Sequence, residues 1–190
     1  FQGQIDTALN ERGLAQALRL GARLHREHGA RPFDRLVVSD LLRARQTAAP
    51  AAERLGLALQ PLSSLREQAF GILEGLTFDE IRIKHPGEFA QWARHDADYA
   101  LPGGAESRRA FHARAIGALQ DLALSHPGQR LMVLTHGGVL DLVWREARGL
   151  PLLGPRECAI PNAGLNRVQV IDGRFEIVDW ADDAHLADLS

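Results

Sequence analysis

Apolar residues recur at Leu14, Ala17, Leu18, Gly21 and Leu24 with the i, i+3, i+4, i+7 spacing of one helical face. Asn10 is placed to cap that helix, and Gly29 before Pro32 to end it. Leu36-Val37-Val38 is a short β-branched run that predicts a buried strand, after which Ser39-Asp40 opens a second helix from about Leu42 to Leu55. Thr77 and Glu80 have the spacing of a capping box for a short helix up to His85, where Pro86-Gly87 stops it. A loop-rich stretch from Pro86 to Glu106 follows and reads as a lid or insert. Ser107 to Ser125 carries Phe111, Ala115, Ala118 and Leu122 on one face, a third long amphipathic helix closed by Pro127-Gly128. Leu131 to Leu134 is a second, fully apolar strand. Thr135-His136-Gly137-Gly138 leads at once into a helix rich in Val139, Leu140, Val143 and Trp144, stopped by Gly149 and Pro151. The late runs Leu165 to Ile171 and Phe175 to Trp180, separated by Asp172-Gly173, predict a β-hairpin.

Helices alternating with apolar strands, joined by crossovers long enough for parallel pairing, predict a three-layer α/β/α domain with a mostly parallel central sheet. In such sheets ligands sit at the carboxyl ends of the strands. At 190 residues with 45% hydrophobic and 24% charged, the chain has the composition of one globular domain, 1–190, with its lid at about 86–106. Disordered, collagen-like and disulfide-scaffold classes are excluded. A formal net charge of −2 leaves nothing global to draw nucleic acid or an anionic membrane, so any anion site must be local. Cys158 is the only cysteine, which rules out an intrachain disulfide and fits a reducing, cytoplasmic setting. No apolar run approaches the roughly 20 residues of a membrane span. The chain opens at Phe1 rather than Met, so a segment upstream is expected, a signal peptide among the alternatives.

The strongest local signal is the strand end at Thr135-His136-Gly137-Gly138. Small residues there let backbone N–H groups approach a ligand, and the helix N-terminus favours an anion beside His136. The alternative is a tight strand-to-helix turn with no ligand. Arg43 falls in the first turn of the second helix, where the dipole disfavours a cation unless an anion compensates it. A phosphate would do so through bidentate hydrogen bonds, whereas an exposed arginine would need no compensation. Glu67, beside the apolar Phe70, is a candidate proton donor or simply a solvated loop carboxylate, and Glu74 is the fallback. His25 with His28, and Asp182 and Asp183 with His185, are incomplete as metal sites and read as surface. No serine-hydrolase elbow, P-loop or paired-cysteine motif is present.

Taken in order, the motifs resemble the histidine phosphatase superfamily, the phosphoglycerate mutase-like family. Phe1-Gln2-Gly3 through Asp6, Leu9 and Gly13 resembles its Q-G-x-x-D-x-x-L-x-x-x-G stretch, and Ser39 to Ala48 its S-x-L-x-R-A-x-Q-T-A helix start. Glu67 to Gly75 resembles E-x-x-F-G-x-x-E-G, and Gly103-Gly104-Ala105-Glu106-Ser107 its G-G-E-S segment with one insertion. Thr135 to Gly138 resembles the second histidine motif, and Asn162 fits the asparagine that follows it. The family's Arg-His-Gly strand, whose histidine is the nucleophile, is not in the chain. It is expected upstream of Phe1, which would leave the fold without its first strand here.

The resemblance implies a phosphohistidine mechanism without metal or cofactor. Arg43 and the upstream arginine would hold the phosphoryl oxygens, and His136 would donate a further hydrogen bond. Glu67 would protonate the leaving oxygen. Gln2, Gly3 and Gly137 would line the phosphate pocket. The implied partner is a small phosphomonoester, with neither nucleic acid nor membrane, and a homodimer is a candidate assembly. A mutase would need a basic lid, but Pro86 to Glu106 holds only Arg94 as a fixed cation, and Phe78 stands where the mutases carry a substrate-binding lysine. Hydrolysis is therefore favoured over phosphoglycerate mutase activity. A non-catalytic phosphate-ligand binder is the reading required if no upstream Arg-His-Gly exists. The lid aromatics Phe89, Trp92 and Tyr99 either receive an apolar substrate moiety or pack the lid.

Overall fold

In the computed structural model, which describes residues 1–189, Asn10 caps α1 (Glu11–Ala30) by accepting from the Gly13 N–H at 2.9 Å. The buried stripe of α1 is Ala17, Leu20, Gly21 and Leu24, while Leu14 and Leu18 are 44% and 53% exposed. The helix is rotated from the face first expected, with Gly21 set closely against α2 (Leu42–Leu55). A Cβ on Gly21 would lie 2.9 Å from the Pro50 carbonyl carbon. Tight backbone contact at a glycine fixes the helix phase more firmly than two leucines at its edge.

In the chain these helices are separated by β1 (Arg35–Val38), whose Leu36, Val37 and Val38 are all buried, as a strand covered on both faces must be. It pairs in parallel with β2 (Leu59–Pro61) on one side and β3 (Leu131–Leu134) on the other, giving the order β2-β1-β3. The sequence pattern leaves β2 unassigned. Its brevity and Pro61, which can donate no ladder hydrogen bond, suit it only to an edge. Leu36 and Val38 face the core shared by α1, α2 and Leu134. A second core joins α5 (Arg108–Ser125), capped by Ser107, to α6 (Gly137–Arg148) and to the hairpin of β4 (Leu165–Ile171) and β5 (Arg174–Asp182). The hairpin turns at Asp172-Gly173, both with positive φ (51° and 75°), and forms an antiparallel sheet separate from the parallel one.

The stretch after His85 departs from expectation. The capping box of Thr77 and Glu80 starts α3 (Phe78–Lys84) as predicted, but Pro86 opens α4 (Pro86–Trp92) rather than a loop. Proline lacks an N–H and has a helical φ, so it ends one helix and starts the next equally well. The aromatics of this region, Phe89, Trp92 and Tyr99, pack with Phe1 and Phe70 around Leu73, Ile81 and Leu101. They form a small core of their own. No helix among the described residues is long and apolar enough to cross a membrane.

Candidate active site

β1 and β3 end side by side, and the residues just past them meet. The Ser39 N–H donates to the Leu134 carbonyl (2.9 Å), and one turn further His136 Nε2 lies 2.7 Å from Ser39 Oγ. His136 is 8% exposed, and burial, reinforced by the charges of Arg43 and Arg114 against an opposing Asp40, pushes its pKa down to about 3. Its imidazole is neutral at physiological pH, with one N–H to donate and one nitrogen to accept.

Arg43 lies in the first turn of α2, a turn with no acidic residue of its own. The compensation comes from the N-terminal segment. Asp6 accepts the Leu42 N–H, and Arg43 donates to the carbonyls of Gly3 (2.7 Å) and Ile5 (2.9 Å). Burial lowers the arginine's proton affinity, while Glu67, Asp6 and Glu74 act to raise it, and a guanidinium stays charged throughout. The two carbonyls hold Arg43 in line and take only two of its five N–H donors, which leaves others for an anion. Gln46 of the same helix accepts from the Leu9 N–H at 2.7 Å, so the first two motifs interlock.

Glu67 caps α6. Its Oε2 accepts from the Gly138 N–H and its Oε1 from the Gln68 N–H, both at 2.9 Å. A Cβ on Gly138 would stand 2.0 Å from Glu67 Oε1, so a side chain there would displace the Glu67 carboxylate from its place. Glu74, the fallback proton donor, accepts from the backbone of Gln4 and Phe70 and packs beneath Gly3, holding the N-terminal segment in place. Gly3 is buried with φ +51°. Gln2, on the same segment, is exposed. Gln4 is half-buried and donates to the Glu67 carbonyl at 3.1 Å.

Several residues that hold these groups carry no local sequence signal. Arg114, on α5, donates to the carbonyls of Ser64, Arg66 and Glu67 while Glu106 of the G-G-x-E-S segment binds it twice at 2.6 Å. Asp40 and Arg66 form a bidentate pair, both contacts 2.7 Å. An arginine on a helix face looks solvated in the sequence. Only the approach of Ser64 to Glu67 makes it structural. Arg156 lies over Gly137, and Asn162 is exposed in the turn before β4.

Among the described residues no group of three or more His, Cys, Asp and Glu side chains could hold a metal. His25 and His28 bond separately to the Arg54 carbonyl and the Phe33 N–H. His185 bonds to the Ala163 carbonyl, and Asp182 is engaged by Arg23 and Arg167. The site thus offers the half-buried guanidinium of Arg43, one neutral imidazole and one carboxylate at a helix N-terminus. That set can bind an anion and move a proton beside it.

Comparison with known proteins agrees with this chemistry. The family description "Histidine phosphatase superfamily (branch 1)" matches residues 1–183. A metal-independent phosphoserine phosphatase of Arabidopsis thaliana is 34% identical over 190 residues, covering 100% of this chain and 77% of that protein. A glucosyl-3-phosphoglycerate phosphatase of Mycobacterium tuberculosis is 36% identical over 160 residues, 80% of this chain and 69% of that one. The solved structure of Bacillus stearothermophilus YhfR superposes with a TM-score of 0.85 at 27% identity, covering 98% of this chain and 90% of that one. On its motifs, its fold and this match, the chain belongs to the histidine phosphatase superfamily.

Proposed function

We propose that the protein is a metal-independent hydrolase of a small phosphorylated metabolite and works through a phosphohistidine. The observation that carries this reading is the gathering of Arg43, Glu67 and His136, from three distant segments, at the carboxyl ends of β1 and β3. The phosphoryl acceptor is the histidine that the family resemblance places upstream of Phe1. Its nitrogen forms the P–N bond as the ester P–O bond breaks, and Glu67 gives its proton to the departing oxygen. Water then attacks phosphorus, the P–N bond breaks, and the water's proton goes to Glu67. Arg43 holds the phosphoryl oxygens, and His136, neutral, donates a hydrogen bond as charge builds on them. The metal independence named for the Arabidopsis relative supports the role assigned to the guanidinium.

Hydrolysis is favoured over mutase transfer because the 86–106 stretch has only Arg94 as a fixed cation and its aromatics are spent on packing. The test uses a chain that carries the upstream Arg-His-Gly. Glu67→Gln should slow alkyl phosphates far more than aryl phosphates, whose leaving groups need little protonation. His136→Ala should cost roughly 10²-fold on both. Equal slowing of both substrate types by Glu67→Gln, with phosphohistidine formation rate-limiting, would remove Glu67 from the acid role.

A further inference from the structure

His136 is the N-cap residue of α6, yet its side chain makes no capping hydrogen bond to the helix it opens. Its Nε2 turns instead to the Ser39 hydroxyl just past β1, 2.7 Å away. Both residues are fixed through the backbone. The Ser39 N–H extends the strand pairing by donating to the Leu134 carbonyl (2.9 Å), and the hydroxyl of Thr135, next to His136, donates to the Leu65 carbonyl (2.8 Å). Ser39 is 0% exposed and His136 8%, so the pair is shielded from water.

The proton between them can point only one way without loss. Ser39 Oγ accepts from the Leu41 N–H at 3.4 Å, and its only other partner among the described residues is His136 Nε2. A hydroxyl has one proton to donate and two lone pairs to accept with. If Nε2–H donated to Ser39, the oxygen would accept twice and its own buried proton would be left without an acceptor, which folded proteins avoid. If the hydroxyl donates to a bare Nε2, both residues are satisfied and the single proton of the neutral ring sits on Nδ1. Nδ1 has no hydrogen-bond partner among the described residues, so it is the nitrogen left for a ligand. As an N–H it attracts an anion, whereas its lone pair would repel one. A neutral histidine free in water favours the proton on Nε2, so a partner must impose the reverse, as a hydrogen bond to the other ring nitrogen does.

We propose that Ser39 is a positioning residue: its hydroxyl donates to His136 Nε2, fixes the Nδ1–H tautomer and so creates the hydrogen bond that His136 gives to the phosphoryl group. This rests on the phosphate pocket proposed above. The test is nitrogen NMR of the 190-residue chain with isotope-labelled histidine, the His136 resonances being identified by their loss in His136→Gln. Nitrogen chemical shifts distinguish protonated from bare ring nitrogens, and the wild type should show Nδ1 protonated and Nε2 bare. Ser39→Ala should move the proton to Nε2. Calorimetry with inorganic phosphate supplies the second readout. Ser39→Ala should weaken phosphate binding roughly tenfold, the scale of one charge-assisted hydrogen bond, but should have no effect in a His136→Ala background, because Ser39 acts only through the imidazole. A protonated Nε2 in the wild type would overturn the proposal without any variant, as would a tautomer unchanged in Ser39→Ala or equal weakening in both backgrounds. If the wild type binds phosphate and its tautomer is the reverse, the proposal alone fails. If the wild type binds no phosphate, the phosphate pocket fails and the phosphoryl role of Ser39 with it.

Discussion

His136 is an imidazole kept neutral by its surroundings, and this has a cost in acid. The unfolded chain takes up its proton near the ordinary histidine value, while the folded protein resists protonation until about pH 3. Between those limits the unfolded state binds more protons, so stability falls as pH falls through the window. From pH 7 to pH 5 the loss from this one group is about 2 kcal/mol. Urea denaturation at the two pH values should show that loss in the wild type and a smaller one in His136→Gln. An identical loss in the variant would mean that His136 is not held neutral. The residue was conspicuous in the sequence because it followed an apolar strand and preceded two glycines. Its protonation state was not, since burial, Arg43 and Arg114 come from elsewhere in the chain.

Among the elements, the contact between α1 and α2 makes a prediction with an unusual sign. Alanine normally replaces glycine in a helix interior with a gain of about 1 kcal/mol. At Gly21 the new methyl group would meet the backbone of Pro50 and Ala51 at 2.9 to 3.0 Å, so the helices must separate. Gly21→Ala is expected to destabilise by about 1–3 kcal/mol, as overpacking does, with the midpoint of chemical denaturation shifted downward. A stabilised variant would show the helix pair to be looser than described. Helix existence was legible here from periodicity and caps, and so were both ends of α6 and the Asp172-Gly173 turn. The phase of α1 was not, because Leu14 and Leu18 satisfy the periodicity as well as Leu20 does. Likewise Pro86-Gly87 is a stop signal in sequence, yet packing of Phe89 and Trp92 on Phe1 and Phe70 makes it a start as well.

At the scale of the whole molecule, charge stabilisation is assigned to Arg43, supported from outside its own helix by Asp6 and by the carbonyls of Gly3 and Ile5. Phosphate affinity should therefore be the same before and after exhaustive treatment with chelator. Binding abolished by EDTA and restored by a divalent ion would sink the metal-independent reading. The same long-range logic governs Arg114, which joins α5 to the segment carrying Glu67. The amino-acid sequence by itself determined α1, α2, α3, α5, α6, β1, β3 and the hairpin, because periodicity, caps and turn residues act within a few positions of one another. It also singled out Arg43, Glu67 and His136 by their places beside strand and helix ends and by family resemblance. Only the tertiary structure decided that Gln4 bonds the Glu67 backbone, that β2 completes the parallel sheet, and that Arg114 stands beside the site. Those outcomes depend on how the chain returns between distant elements, and a local pattern of apolar and polar residues does not encode that path.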